Sequence, residues 1–189
     1  MSRIGIKPIV YPESVRVEIE NVTIQIAGPR GRIEWTHHPR VRLEHDRKQN
    51  TIRVTRCDES RLARALHGTT RTLVSNMVEG VTQGHERRLI VSGIGFRVNW
   101  HHEQLVFTVG LAHRIRKIPP SNVMVEIVED RTVVVTGVDK QKVGQFAAEL
   151  RAVRPVGVYW DEKNNCPIGI YYETEKLRRK PGKSQQMKK

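Results

Sequence analysis

The sequence predicts an α+β protein: two tandem duplicated domains, each a mostly antiparallel sheet packed by one helix, plus a basic C-terminal tail. Three features carry this expectation. Short runs with period-two apolar alternation dominate the chain, as half-buried strands require. One long amphipathic segment, residues 58–81, closes the first half. The second half then repeats the order and several spacings of the first. The boundaries that follow are 1–81 for the first repeat, 82–175 for the second, and 176–189 for the tail.

In the first repeat, Val15, Val17 and Ile19 alternate, and Val22, Ile24 and Ile26 alternate after a tight turn at Glu20-Asn21. Gly28-Pro29-Arg30-Gly31 is a second turn leading into residues 32–35. Residues 40–44 and 51–55 pair around a polar loop. A helix then begins, with Asp58 as the predicted N-cap because its carboxylate can accept the open N–H groups of the first turn. Leu62, Ala65, Leu66, Thr69, Leu73 and Met77 recur at three- and four-residue steps and draw the predicted core stripe, and Gly80 is placed to end it. The helix also carries His67-Gly68-Thr69-Thr70-Arg71. A mid-helix glycine costs roughly 1 kcal/mol relative to alanine, so it needs a reason. Helix packing supplies one; a ligand or RNA contact along an exposed His67 and Arg71 edge is the alternative.

The second repeat follows the same plan. Residues 104–109 alternate, and Gly110 precedes Arg114-Ile115 at the spacing by which Gly28 precedes Arg32-Ile33. Thr51-Ile52-x-Val54-Thr55-x-x-Asp58 is echoed by Thr132-Val133-x-Val135-Thr136-x-x-Asp139. Asp139 is the expected cap of a helix with Val143, Phe146, Ala147 and Leu150 inward, stopped by Pro155. Two segments break the symmetry. One is residues 89–100, read as an apolar strand interrupted by Gly93 and Gly95; the other is everything after Pro155.

Net charge is +13 with a pI near 10.3, which points to a polyanion partner. Residues 1–81 hold 14 basic and 9 acidic side chains, and residues 82–189 hold 19 and 11. The tail supplies seven of the latter's cations and no acid, so cationic contact on the second folded body has to come from local patches. The tail is too polar to fold alone and is expected to be mobile until it meets an anion. No apolar run reaches the roughly eighteen residues of a membrane helix, and the N-terminus lacks a secretory pattern, so no membrane partner is expected. Cys57 and Cys166 form no metal-binding spacing, and a reduced, cytoplasmic setting without a disulfide is the reading. His37-His38 and His101-His102 have no carboxylate or thiol at ligand spacing and are expected on surface loops, with no metal and no cofactor. Ser, His and Asp are present without a nucleophile elbow or phosphate loop, so no catalytic residues and no enzyme are expected.

The candidate residues are therefore RNA contacts. At Gly93, Gly95, Phe96 and Arg97, glycines either bend a strand or admit an RNA backbone while Phe96 and Arg97 are presented. His113, Arg114 and Arg116 follow the Gly110 turn, the two arginines sharing one face with Ala112. Arg151 and Arg154 end the second helix, where they also complement its dipole. Tyr159, Trp160, Tyr171 and Tyr172 offer stacking surfaces or ordinary core. Lys176, Arg178, Arg179, Lys180 and Lys183 are tail cations.

Several runs resemble the bacterial-type large-subunit ribosomal protein six family (uL6). They are Ser2-Arg3-Ile4-Gly5 with Lys7-Pro8-Ile9, Ala65-Leu66-His67-Gly68-Thr69-Thr70-Arg71, and Asn76-Met77-Val78-Glu79-Gly80-Val81. Gly93-x-Gly95-Phe96-Arg97, Gly137-x-Asp139-Lys140-Gln141-x-Val143-Gly144-Gln145 and Arg151-Ala152-x-Arg154-Pro155 continue the match in order. The resemblance implies two α/β domains, no catalysis, and a place in the cytoplasmic ribosome on large-subunit (23S-type) rRNA. It implies a location near the sarcin-ricin loop and stalk base, with neighbouring ribosomal proteins as partners and translation factors nearby. The second domain and tail would do most of the binding, with Arg3, Lys7, His67 and Arg71 as further RNA-facing positions in the first. Ile6 departs from the family's usual lysine, and residues 156–169 depart from its proline-rich segment. A free nucleic-acid-binding regulator is the alternative function.

Overall fold

The computed structural model describes residues 3–160 and 166–180. The chain divides into two compact units, Met1–His85 with Val138–Lys140, and Glu86–Gly137 with Gln141–Lys189. The α+β expectation with antiparallel pairing holds in both.

The first unit contains β1 (Ile9–Val10), β2 (Arg16–Glu20), β3 (Thr23–Gly28), β4 (Gly31–Thr36), β5 (Val41–Asp46), β6 (Thr51–Arg56) and α1 (Arg61–Thr82). Its strands form two sheets, ordered β1-β6-β5 and β2-β3-β4. The β2–β3 turn falls on Asn21-Val22, one residue later than expected. Glu20 pairs with Thr23, and Asn21 takes the left-handed conformation at φ 51°. Asparagine tolerates that region through local hydrogen bonding. Ile24, Ile26, Val41 and Ile52 meet Val74 and Val81 of α1 in a closed core.

Helix α1 exists, but three expectations about it are corrected. Its N-cap is Ser60, whose Oγ accepts the Ala63 N–H at 3.1 Å. Asp58 stands one step behind, accepting from the Ser60 hydroxyl at 2.8 Å and the Ser60 N–H at 3.3 Å. The buried face runs through Ala63, His67, Thr70, Val74, Met77, Val78 and Val81. Of the predicted stripe Met77 is buried and Leu66 packs, partly buried, against the same core, while Leu62 is 47% exposed. The helix lies close to β6: His67 is tied through Nε2 to the Val54 carbonyl at 2.9 Å, so small and polar residues occupy the contact. Gly80 does not end the helix. A Cβ there would lie 2.0 Å from the Val138 carbonyl oxygen, so it is a close-packing glycine. The helix continues to Thr82 and stops at Gln83, whose N–H donates to the Glu79 carbonyl at 2.9 Å.

The second unit contains β7 (His85–Ser92), β8 (Arg97–His101), β9 (Gln104–Thr108), β10 (Ile115–Lys117), β11 (Val123–Val128), β12 (Thr132–Gly137), α2 (Lys140–Val153) and β13 (Gly169–Tyr172). The sheets are ordered β10-β9-β8 and β11-β12-β7-β13. Each pair of sheets matches the first unit's pair, with β7-β12-β11 in the place of β1-β6-β5. Strand β13 is the addition, pairing antiparallel with β7 from Gly169↔Ser92 to Tyr172↔Leu89. Val143, Phe146, Ala147 and Leu150 are the buried residues of α2, as its spacing predicts. They pack on Leu89, Val91, Phe107, Val133 and Val135. Residues 89–100 are not one interrupted strand: β7 ends at Ser92 and β8 begins at Arg97 in a different sheet. Strand β11, with its Val125 and Ile127 turned to the core, has no counterpart in the sequence reading.

Candidate nucleic-acid interface

The Gly93 to Arg97 turn sorts its residues into core and surface. Phe96 is 7% exposed and joins the core of the second unit, so it is not presented to a ligand. It explains Gly93: a Cβ there would come within 2.7 Å of the Phe96 ring, and φ is +152°. Gly95 is different. It is exposed, its φ is +73°, and nothing lies within 4 Å of its added Cβ. Packing thus accounts for Gly93, while Gly95 stands open on the surface.

Beyond the turn, β8 exposes Arg97, Asn99 and His101 while Val98 is buried. Arg97 pairs with Thr108 and Asn99 with Val106 on β9, and Val106 pairs in turn with Arg116 on β10. The strand alternation therefore brings Arg97 and Arg116 onto one sheet. Arg114 lies just before β10, outside the strand expected there, and is exposed with His113 and Arg116. An open cleft of about 510 Å³ is lined by Gly95, Arg97, Asn99, Trp100, His101, Val106, Thr108 and Arg114. Among the described residues, no carboxylate lines it. Asn99, Trp100, His101, Val106 and Thr108 escaped the sequence reading, although the Arg97, Asn99, His101 alternation was available to find the outward set.

At the other end of the unit, Arg151 is taken up by Glu175 through two hydrogen bonds, Nε to Oε2 at 2.9 Å and the terminal nitrogen to Oε1 at 2.5 Å. That bond, first among the causes, holds the Glu175 carboxyl below its ordinary range and raises the Arg151 guanidinium. Arg154 is half-buried, and its carbonyl accepts the Ile170 N–H at 2.8 Å. Tyr159 is 61% exposed. Tyr171 and Tyr172 belong to β13, and Tyr172 packs against the core.

The described start of the tail has a fixed path. The Lys180 N–H donates to the Val158 carbonyl at 2.9 Å, and the Arg179 guanidinium sits 5.5 Å from the Trp160 ring centroid. Lys176, Arg178, Arg179 and Lys180 are all exposed. Lys183 lies outside the described residues.

In the first unit Arg3 and Lys7 are exposed, and the Lys7 carbonyl accepts from Arg71 Nε at 3.3 Å. His67 is only 5% exposed, so the expected exposed edge does not include it. Its ring fills the space above Gly5, where a Cβ would lie 2.4 Å away. His37 is likewise buried, at 4% exposure, with Nδ1 3.2 Å from the His38 carbonyl, and is no surface-loop residue. Among the described residues no cluster of three metal-ligating side chains occurs, and Cys57 and Cys166 form no disulfide. No helix among them is long and apolar enough to cross a membrane.

A duplicated α+β scaffold with exposed cations on an open sheet and along its C-terminal strap defines a nucleic-acid-binding class of protein. Comparison with known proteins gives the family. A family model described as ribosomal protein L6 matches residues 11–84 and 92–170. The chain is 41% identical over 189 residues to large ribosomal subunit protein uL6 of Synechococcus sp. (strain JA-3-3Ab), covering 100% of both chains. It is 40% identical over 184 residues to the uL6 proteins of Carboxydothermus hydrogenoformans, covering 97% of each chain, and of Thermus thermophilus, covering 97% of this chain and 98% of the relative. The chain belongs to the ribosomal protein L6 family of large-subunit ribosomal proteins, a structural kind of protein.

Proposed function

We propose that this protein holds large-subunit rRNA near the sarcin-ricin loop and the stalk base, beside neighbouring ribosomal proteins and close to where translation factors work. Family membership supports an rRNA partner, and the finer location rests on the matching motifs. The observation that carries the reading is the exposed set Gly95, Arg97, Arg114 and Arg116 in the second unit, on a surface whose cleft has no carboxylate among its described lining residues. Guanidinium groups in that setting contact phosphate without a competing anion. Residues 1–81 serve as a first scaffold domain, residues 82–175 as the main binding domain, and 176–189 as a cationic extension. Arg3, Lys7 and Arg71 form a lesser contact set.

The test is hydroxyl-radical footprinting of large-subunit rRNA with and without the full chain. Protection around the sarcin-ricin loop and stalk base is the expected result. Protection confined to other rRNA regions would overturn the location, and a protein that stays at the top of a gradient at every salt concentration would overturn the ribosomal role.

A further inference from the structure

We propose that the cleft on the β8-β9-β10 sheet is a binding site for one unpaired RNA nucleotide, its phosphate held by Arg97 and Arg114 and its base by Asn99 and His101. The inference rests on the reading of this chain as an rRNA binder and adds what that surface selects.

The geometry argues for a nucleotide and against a plain phosphate patch. The cleft, about 510 Å³, falls within the range of small-ligand sites. Arg97 and Arg114 are the arginines of its described lining, which holds no lysine, so charge occupies part of the surface. The rest is mixed: an amide that both donates and accepts at Asn99, a hydroxyl at Thr108, and the exposed ring of His101. On β8 His101 alternates to the same face as Arg97 and Asn99, so its ring is available for stacking there, whereas Trp100 alternates to the Val98 face. The His101 ring is held edge-on against His102 with centroids 4.5 Å apart.

A paired RNA helix presents phosphates and 2′-hydroxyls over a shallow surface, and its deep groove does not admit these side chains. A stacking ring and an amide on the open face of a sheet are useful only to a base that is unstacked and has its pairing edge free. Thr108 stands directly across from Arg97, close enough to share the ribose or phosphate of the same nucleotide.

The experiment measures binding of the full chain to three probes: a single-stranded oligouridylate, a fully paired RNA duplex of equal length, and large-subunit rRNA. Asn99→Ala and His101→Ala leave both arginines of the cleft in place. Each is expected to weaken oligouridylate binding about tenfold or more while duplex binding changes less than about twofold, and His101→Phe restores most of the loss at that position. Both change exposed residues, so either decides the matter should the other unfold. Equal losses on both short probes, no loss on either, or a wild-type chain that binds rRNA but not oligouridylate overturns the nucleotide site. A wild-type chain that binds none of the three overturns the rRNA reading itself.

Discussion

Arg151 at the end of α2 grips Glu175 at two points, 2.9 and 2.5 Å, and the same carboxylate accepts the Tyr172 N–H at 3.3 Å. One side chain thereby ties the helix to the chain segment that leaves β13. The Glu175 carboxyl titrates below its ordinary range because Arg151 hydrogen-bonds its charged form. With the folded value below the unfolded one, about 4.3, the contribution is complete above that unfolded value. It is lost as pH falls through the folded value. Glu175→Gln is expected to cost about 1 kcal/mol or less at neutral pH, given the pair's partial exposure. The difference from wild type vanishes in acid; urea midpoints measured from neutral pH downward check both statements.

Phe96 is a core residue flanked by glycines, which separates its role from that of its neighbour Arg97. Phe96→Ala should destabilise the protein by about 3–5 kcal/mol. Phe96→Leu should recover most of that and leave rRNA affinity near wild type. An affinity loss in Phe96→Leu with stability intact would return Phe96 to the contact surface. Denaturant titration and filter binding on the same variants give the two numbers.

Capping of α1 by Ser60 predicts an asymmetry between two adjacent polar residues. Ser60→Ala removes the acceptor for the Ala63 N–H and is expected to cost about 1 kcal/mol. Asp58→Ala removes two bonds to the cap and an exposed ion pair with Arg40, none of them to the helix's own open N–H groups, and should cost clearly less. Equal losses in chemical unfolding would mean that the two act as one unit.

The strap from Lys176 onward is pinned at Glu175, Arg179 and Lys180, so its described cations meet RNA with part of their ordering complete. Truncation after Glu175 is expected to weaken rRNA binding and to flatten its dependence on salt, because each phosphate contact adds about 0.7–0.9 to the logarithmic slope. An unchanged slope removes the strap from the contact set. Trp160→Ala on the full chain should weaken binding with the slope unchanged, since it removes the ring under Arg179 without removing any charge.

Much of this architecture is written in local patterns. Period-two alternation locates most strands, and the α2 stripe of Val143, Phe146, Ala147 and Leu150 comes out residue for residue, because large apolar side chains there face the core. In α1 the same logic selects the exposed Leu62 and misses Ala63, His67 and Thr70. Helix-to-strand proximity decides that face, and proximity favours small residues that hydropathy cannot rank. His67 and His37 escape for the same reason, as a buried imidazole with one ring nitrogen on a backbone carbonyl looks like any polar residue in sequence. The surface cations Arg97, Arg114 and Arg116 are readable from alternation and charge. The Arg151–Glu175 pair is not, since its partners are distant in sequence and meet only through the return of the chain along β7.

Strand β13 sets the order in which the molecule can be completed as it is made. The first unit draws its buried core from residues 9–81, all of which emerge early from a synthesising ribosome. The second cannot close: β7 borders β12 on one side and waits on the other for Gly169–Tyr172, the last strand among the described residues. Until those residues are released, β7 offers an open row of amide and carbonyl groups to any passing strand. A nascent chain of this protein is thus half finished for most of its synthesis, and a message truncated before Gly169 yields a product with an unprotected sheet edge.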